Sequence, residues 1–135
     1  MIRIRIRLKL PYKNQLTPSP GLHSFRRFIS VKKEWERAIP EALAHQRAMG
    51  PRRVTIVRLM TPRERPFDTG NLYYSCAAIL DIVVAKGYLI DDRPELTDLD
   101  KPVQRLAVGD ELAPSTWIEI EDLPGAAMVQ PGLPL

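Results

Sequence analysis

A chain of 135 residues with 44% apolar side chains is long enough for one domain with a real core. It holds no apolar run of about 18 residues, which excludes a membrane-spanning helix. The formal net charge is only +4, but residues 1–67 carry 16 Lys and Arg against 4 Asp and Glu, and residues 68–135 carry 4 against 12. The first half therefore reads as a polyanion-binding surface, and the second holds nearly all the carboxylates a metal could use. The alternative is that folding interleaves the halves and pairs their charges across the surface. The single Cys76 cannot form an internal disulfide. It reads as a small hydrophobe in a reducing, cytoplasmic setting.

The opening "MIRIRIRLKL" lacks the continuous apolar stretch of a signal peptide. Its strict alternation predicts a half-buried strand, with Ile2, Ile4, Ile6, Leu8 and Leu10 inward and Arg3, Arg5, Arg7 and Lys9 outward. Outward positions recur about every 6.6 Å, a pitch that suits a phosphate backbone. Guarding an edge strand against aggregation is an equally simple use for the row. "PYKNQLTPSPG" is a Pro-punctuated loop, after which Ser30 is the expected N-cap of a helix. The periodicity of Val31, Trp35, Ile39, Ala42, Leu43 and Met49 carries that helix toward Gly50, with a kink or a restart at Pro40.

"RRVTIVRLM" predicts a second strand and "TPRERP" a basic loop. Asn71 to Lys86 then predicts a helix apolar on nearly every side, ended by Gly87. Such a helix has more apolar surface than one small sheet covers, so a homodimer is expected. "GYLI" suggests a short buried strand, and "ELTDLDK" and "TWIEIED" suggest further strands. One domain is expected over residues 1–123, with 124–135 a flexible Pro- and Gly-rich tail. The fold class is α/β in the α+β sense: a small mixed sheet with two main helices.

Carboxylates flank the apolar helix: Asp68 before it, Asp91 and Asp92 after it. Mg²⁺ takes hard oxygen ligands, and one or two carboxylates with substrate phosphate suffice for phosphodiester chemistry. An Asp at a helix start is equally a cap, and "DD" in a turn is equally a solvated pair. His23 and His45 are too far apart to suggest zinc, and nothing resembles a phosphate-binding P-loop.

Residues 1 to about 122 resemble the RusA family of Holliday junction resolvases. The resemblance runs through "RLKLPYKNQ", "FRRFISVKKEWERAI", "FDTGNLYYSCAAILD" with "GYLIDD", "LTDLDKPV" and "WIEIED". It implies a dimeric α/β fold, Mg²⁺ or Mn²⁺ held by acids, and paired nicks in branched DNA. By position it implies Asp68, Asp91 and Asp92 as metal ligands and catalytic acids. Asn71 falls on the family's Asn. Two departures stand out. The second Asp of the family's turn is Gly70, and the family's helical Lys falls on Ala77 counting back from Asp81, or on Tyr73 or Tyr74 counting forward. Glu64 is a candidate stand-in for the missing acid. The expected DNA contacts are Arg3, Arg5, Arg7, Arg26, Arg27, Lys32, Lys33, Arg52, Arg53, Arg63, Arg65, Asn71 and Lys101. The expectation is an endonuclease acting on branched DNA whose cutting is impaired by Gly70 and Ala77. A non-cleaving relative that binds junctions or a protein partner is the alternative.

Overall fold

Residues 1–11 and 22–123 are described by a computed structural model, residues 22–25 as backbone only. The expected flexible tail and nearly all of the Pro-punctuated loop lie outside the described residues. The architecture is mixed α+β: a five-stranded sheet with two helices. In chain order the elements are β1 (Ile2–Ile6), α1 (Leu22–Ala38), β2 (Arg52–Met60), α2 (Thr69–Ala85), β3 (Thr97–Leu99), β4 (Val103–Leu106) and β5 (Ser115–Asp122).

β5 lies between β1 and β2 and is antiparallel to both, so β1 and β2 run the same way. β3 and β4 follow one another along the other edge of β2, both parallel to it. The path from β2 through α2 to β3 is thus a crossover between parallel strands. Consequently the C-terminal ends of β1, β2 and β4 share one end of the sheet with the start of α2. The end of α2 returns to the other.

Alternation decides which face is covered. Ile4 pairs with Ile118 and Ile118 with Ile56, one row across three strands. With Ile6, Val54 and Ile120 these side chains pack under Trp35 and Ile39 of α1 and Leu72, Cys76, Ile79, Leu80 and Val83 of α2. The opposite face of the sheet carries Arg3, Arg5, Arg53, Thr55, Trp117 and Glu119 toward solvent.

Several expected boundaries are corrected. Ser30 is not a cap but an exposed position inside α1, because the helical pattern extends upstream through "SFRRF". The helix does not continue through Pro40; it stops at Ala38, since a proline disfavours helical geometry in the residue before it. Only a 3₁₀ turn, Ala44–Gln46, follows before β2. "GYLI" is not a strand. Gly87, at a φ of +94°, closes α2 with bonds from its own N–H to Val84 O (3.0 Å) and from Tyr88 N–H to Val83 O (3.2 Å). This Schellman turn tucks Tyr88 and Leu89 into the core as irregular chain.

Candidate nucleic-acid interface and carboxylate cleft

Asp68 is the N-cap of α2. Its Oδ1 accepts the Asn71 backbone N–H and its Oδ2 the Asn71 side-chain N–H, both at 2.9 Å. The cap is held from behind. Gln104 of β4 accepts from Phe67 N–H at 3.0 Å and donates to Phe67 O at 2.8 Å. Arg58 lies buried beneath, its guanidinium 3.8 Å from the Phe67 ring centre, donating to Arg65 O and to Glu64. Glu64 also accepts from Thr61 N–H and pairs with Lys9 at 3.6 Å. Burial pushes the Glu64 carboxyl up, but Thr61, Arg58 and Lys9 outweigh it and hold it below its ordinary value. The candidate stand-in ligand is therefore committed to this framework.

Along the middle of α2, from Tyr74 to Asp81, a cleft of about 1070 Å³ opens between the helix and the β3 edge. Its walls include Tyr74, Ala77, Asp81, Asp92, Asp98 and Arg53. Asp98 is paired with Arg53 at 3.0 Å. Asp91 accepts the Asp92 backbone N–H at 2.7 Å and pairs with Arg93 at 3.0 Å. Hydrogen bonding between the two carboxyls lowers Asp91 and raises Asp92, and the negative charge of Asp81 adds to the rise of Asp92. Ala77, where a count back from Asp81 sets the family's Lys, is exposed on the wall of this cleft.

The expectation that Asp68, Asp91 and Asp92 converge on one metal position is not met within the chain. Asp92 lies beside Asp81, and Asp81 is about 20 Å along α2 from Asp68 at the helical rise of about 1.5 Å per residue. Among the described residues, no three His, Cys, Asp or Glu side chains are grouped so as to hold a metal ion. Asp81 went unassigned as a site residue in the sequence, although a lone acid on so apolar a helix was a signal for it.

The cations divide into two groups. Arg52, expected at the DNA surface, is instead buried. It donates to Gln46 O (2.6 Å), Tyr88 O (2.9 Å) and Asp122 (2.9 Å), so its donors are spent inside the fold. Arg3 pairs with Glu119 at 2.6 Å, and Arg53 with Asp98 and Glu121. On the sheet, the basic first half and the acidic second half thus neutralise one another. Elsewhere they do not. Arg26, Arg27, Lys32, Lys33 and Arg37 are exposed along α1, where Lys32 reaches Glu36 only at 4.0 Å. Arg7 follows β1, and Arg63 and Arg65 follow β2, at the end of the sheet where α2 begins, with Lys9 beside them in its pair with Glu64. Lys101 is exposed between β3 and β4. No helix among the described residues is long and apolar enough to cross a membrane. No protein-family model matches the chain, and no curated protein matches it.

Proposed function

We propose that this chain is a DNA-binding relative of the RusA-type Holliday junction resolvases, one that holds branched DNA as a homodimer and cuts it poorly. The observation that supports binding is the surplus of cations on α1 and around the start of α2. On α1, Arg26, Arg27, Lys32, Lys33 and Arg37 outnumber Glu34 and Glu36, and no strand of the acidic half is hydrogen-bonded alongside to make up the difference. A phosphate backbone is the partner such a surface suits.

Weak cutting follows from the acids. Both oxygens of Asp68 already accept from Asn71, Glu64 is paired with Arg58 and Lys9, and Asp98 with Arg53. That leaves Asp81 and Asp92 in the cleft as ligands for Mg²⁺ or Mn²⁺, fewer carboxylates than a tight site uses. A divalent ion there would neutralise charge on a phosphodiester, but the ligand set fits it incompletely.

The test is a four-way-junction gel shift in EDTA, run beside a cleavage assay with Mg²⁺ and with Mn²⁺. Salt-sensitive retention of the junction with slow cutting is expected. Replacing Arg63 and Arg65 with Ala should lower the salt slope by about 0.9 for each phosphate that is no longer neutralised. A chain that binds junctions no better than linear duplex, or not at all, is not of this class.

A further inference from the structure

The open face of the sheet has a second arrangement that the basic surfaces do not account for. Trp117 projects from β5 half-buried, and three guanidiniums surround its ring: Arg5 at 5.0 Å from the centre, Arg3 at 5.1 Å and Arg105 at 5.7 Å. Two of the three are fixed by carboxylates. Arg3 is held by Glu119 at 2.6 Å, and Arg105 by both oxygens of Glu111 at 2.7 and 2.9 Å. Arg5 is near enough to Glu111 to help lower its carboxyl, but among the described residues no carboxylate pairs directly with Arg5 or with Arg7. Both line a cleft of about 540 Å³ together with Trp117, Ser115, Leu112, Asp110 and Glu111.

We infer that Trp117, with Arg5 and Arg7, is a stacking site for unpaired bases of single-stranded DNA, such as those exposed at a branch point; this rests on the DNA-binding reading above. An arginine–tryptophan ladder that served only the sheet would need no cleft beside it, and would pair Arg5 as it pairs Arg3 and Arg105. An indole flanked by guanidiniums, two of them tied down by carboxylates, offers π faces on which a base stacks whatever its identity. Arg5 and Arg7 keep their donors for the phosphate that accompanies the base. The same face argues against duplex as the ligand. Asp98, Asp100, Asp110, Glu111, Glu119 and Glu121 share it, so the cations left for phosphate there are Arg5 and Arg7: enough for the phosphates beside a stacked base, too few for the two backbones of a duplex. What remains is stacking, which only an unpaired base can use.

The chain has two tryptophans, and Trp35 is buried in the core, so a Trp35→Phe background makes Trp117 the sole tryptophan, excited at the red edge where its tyrosines do not absorb. Titration of that protein with an oligo-dT strand should quench its emission saturably. In the otherwise native chain, Trp117→Leu should weaken oligo-dT binding about tenfold and leave blunt linear duplex binding unchanged. Trp117→Tyr, which keeps a ring, should recover most of the loss. Oligo-dT affinity unchanged by Trp117→Leu, or an equal loss on duplex, overturns this site while leaving the junction-binding reading intact. If the native chain retains neither oligo-dT nor junction, both readings fall. Should Trp117→Leu fail to fold, the pair Arg5→Gln and Arg7→Gln decides: weaker oligo-dT binding at an unchanged melting temperature supports the site, and unchanged binding overturns it.

Discussion

Arg52 and Arg58 occupy equivalent places at the two ends of β2. In "RRVTIVRLM" the inward positions are Arg52, Val54, Ile56, Arg58 and Met60, so an arginine closes each end of the apolar pair in the middle. Each one ties loops together: Arg52 the 46–47 and 88 segments, Arg58 the 64–65 segment and Gln104. They differ in one respect, since the Arg58 Nε is buried without a partner. Losing Arg52 strands the buried Tyr88 O but leaves Asp122 in water, whereas losing Arg58 leaves the nearly buried Glu64 carboxylate with Lys9 alone; each buried group stranded costs about 1–3 kcal/mol. The orphaned donor carries a desolvation penalty of its own. Urea unfolding should therefore show Arg58→Met to be more damaging than Arg52→Met; the reverse order would mean that the unpartnered Nε of Arg58 costs more than its ion pair contributes. Glu111 offers a pH test at the same scale. Its hydrogen bond to Arg105 pulls its carboxyl from an ordinary 4.5 to about 2, helped by Val108 N–H. The folded state holds that proton less tightly than the unfolded chain, so the stabilisation is whole above about pH 4.5 and drains away as pH falls toward 2. Melting curves of wild type and Glu111→Gln should converge in acid and separate at neutral pH.

The α2 helix shows how far pattern carries at the level of an element. Its apolar run was plain in the sequence, as was its stop at Gly87, and so were β1, β2 and β5 from their alternation. Boundaries governed by geometry were not. Whether Pro40 kinks a helix or ends it depends on what Ile39 packs against, and Tyr88 and Leu89 are buried by a turn rather than by a ladder. β4 has little alternation to announce it: only Gln104 and Arg105 are half-covered, and Val103 and Leu106 stay exposed. The helix itself is not covered all round, as its composition foretold. Gly70, Tyr73, Tyr74, Ala77, Asp81 and Ala85 remain exposed along one side, all but Asp81 small or aromatic. Small residues let a second helix approach closely, so a second copy of this chain is the partner this stripe suits. We therefore expect a dimer at micromolar concentration by light scattering, and a monomer for Ala77→Glu with Tyr74→Glu. A native monomer in that range would leave the stripe without this role.

Over the whole molecule, the lopsided charge of the sequence resolves into two outcomes that composition alone did not separate. Where strands from the two halves pair, as β5 does with β1 and β2, arginine meets carboxylate and the excess disappears. Where an element packs only one face and has no strand neighbour, as α1 does, the excess survives. The acids were legible as residues but not as a constellation, because their grouping depends on which end of α2 each occupies. A returning segment brings Asp92 to Asp81 rather than to Asp68. This bears directly on catalysis. Any divalent ion this chain holds by itself should depend on Asp81 and Asp92, and only weakly or not at all on Asp68. Mn²⁺ binding followed by its electron spin resonance should be weak in wild type. It should be lost in Asp92→Asn and in Asp81→Asn, and be unchanged in Asp68→Asn. A Gly70→Asp change is sterically free, since a Cβ there meets nothing closer than Asp68 Oδ1 at 3.6 Å. It should fold normally, yet leave Mn²⁺ binding as it was, because the new carboxylate joins the wrong end of the helix. If Gly70→Asp or Asp68→Asn does alter Mn²⁺ binding, the two ends of α2 must meet, and the only way for them to do so without unfolding the helix is across a pair of chains.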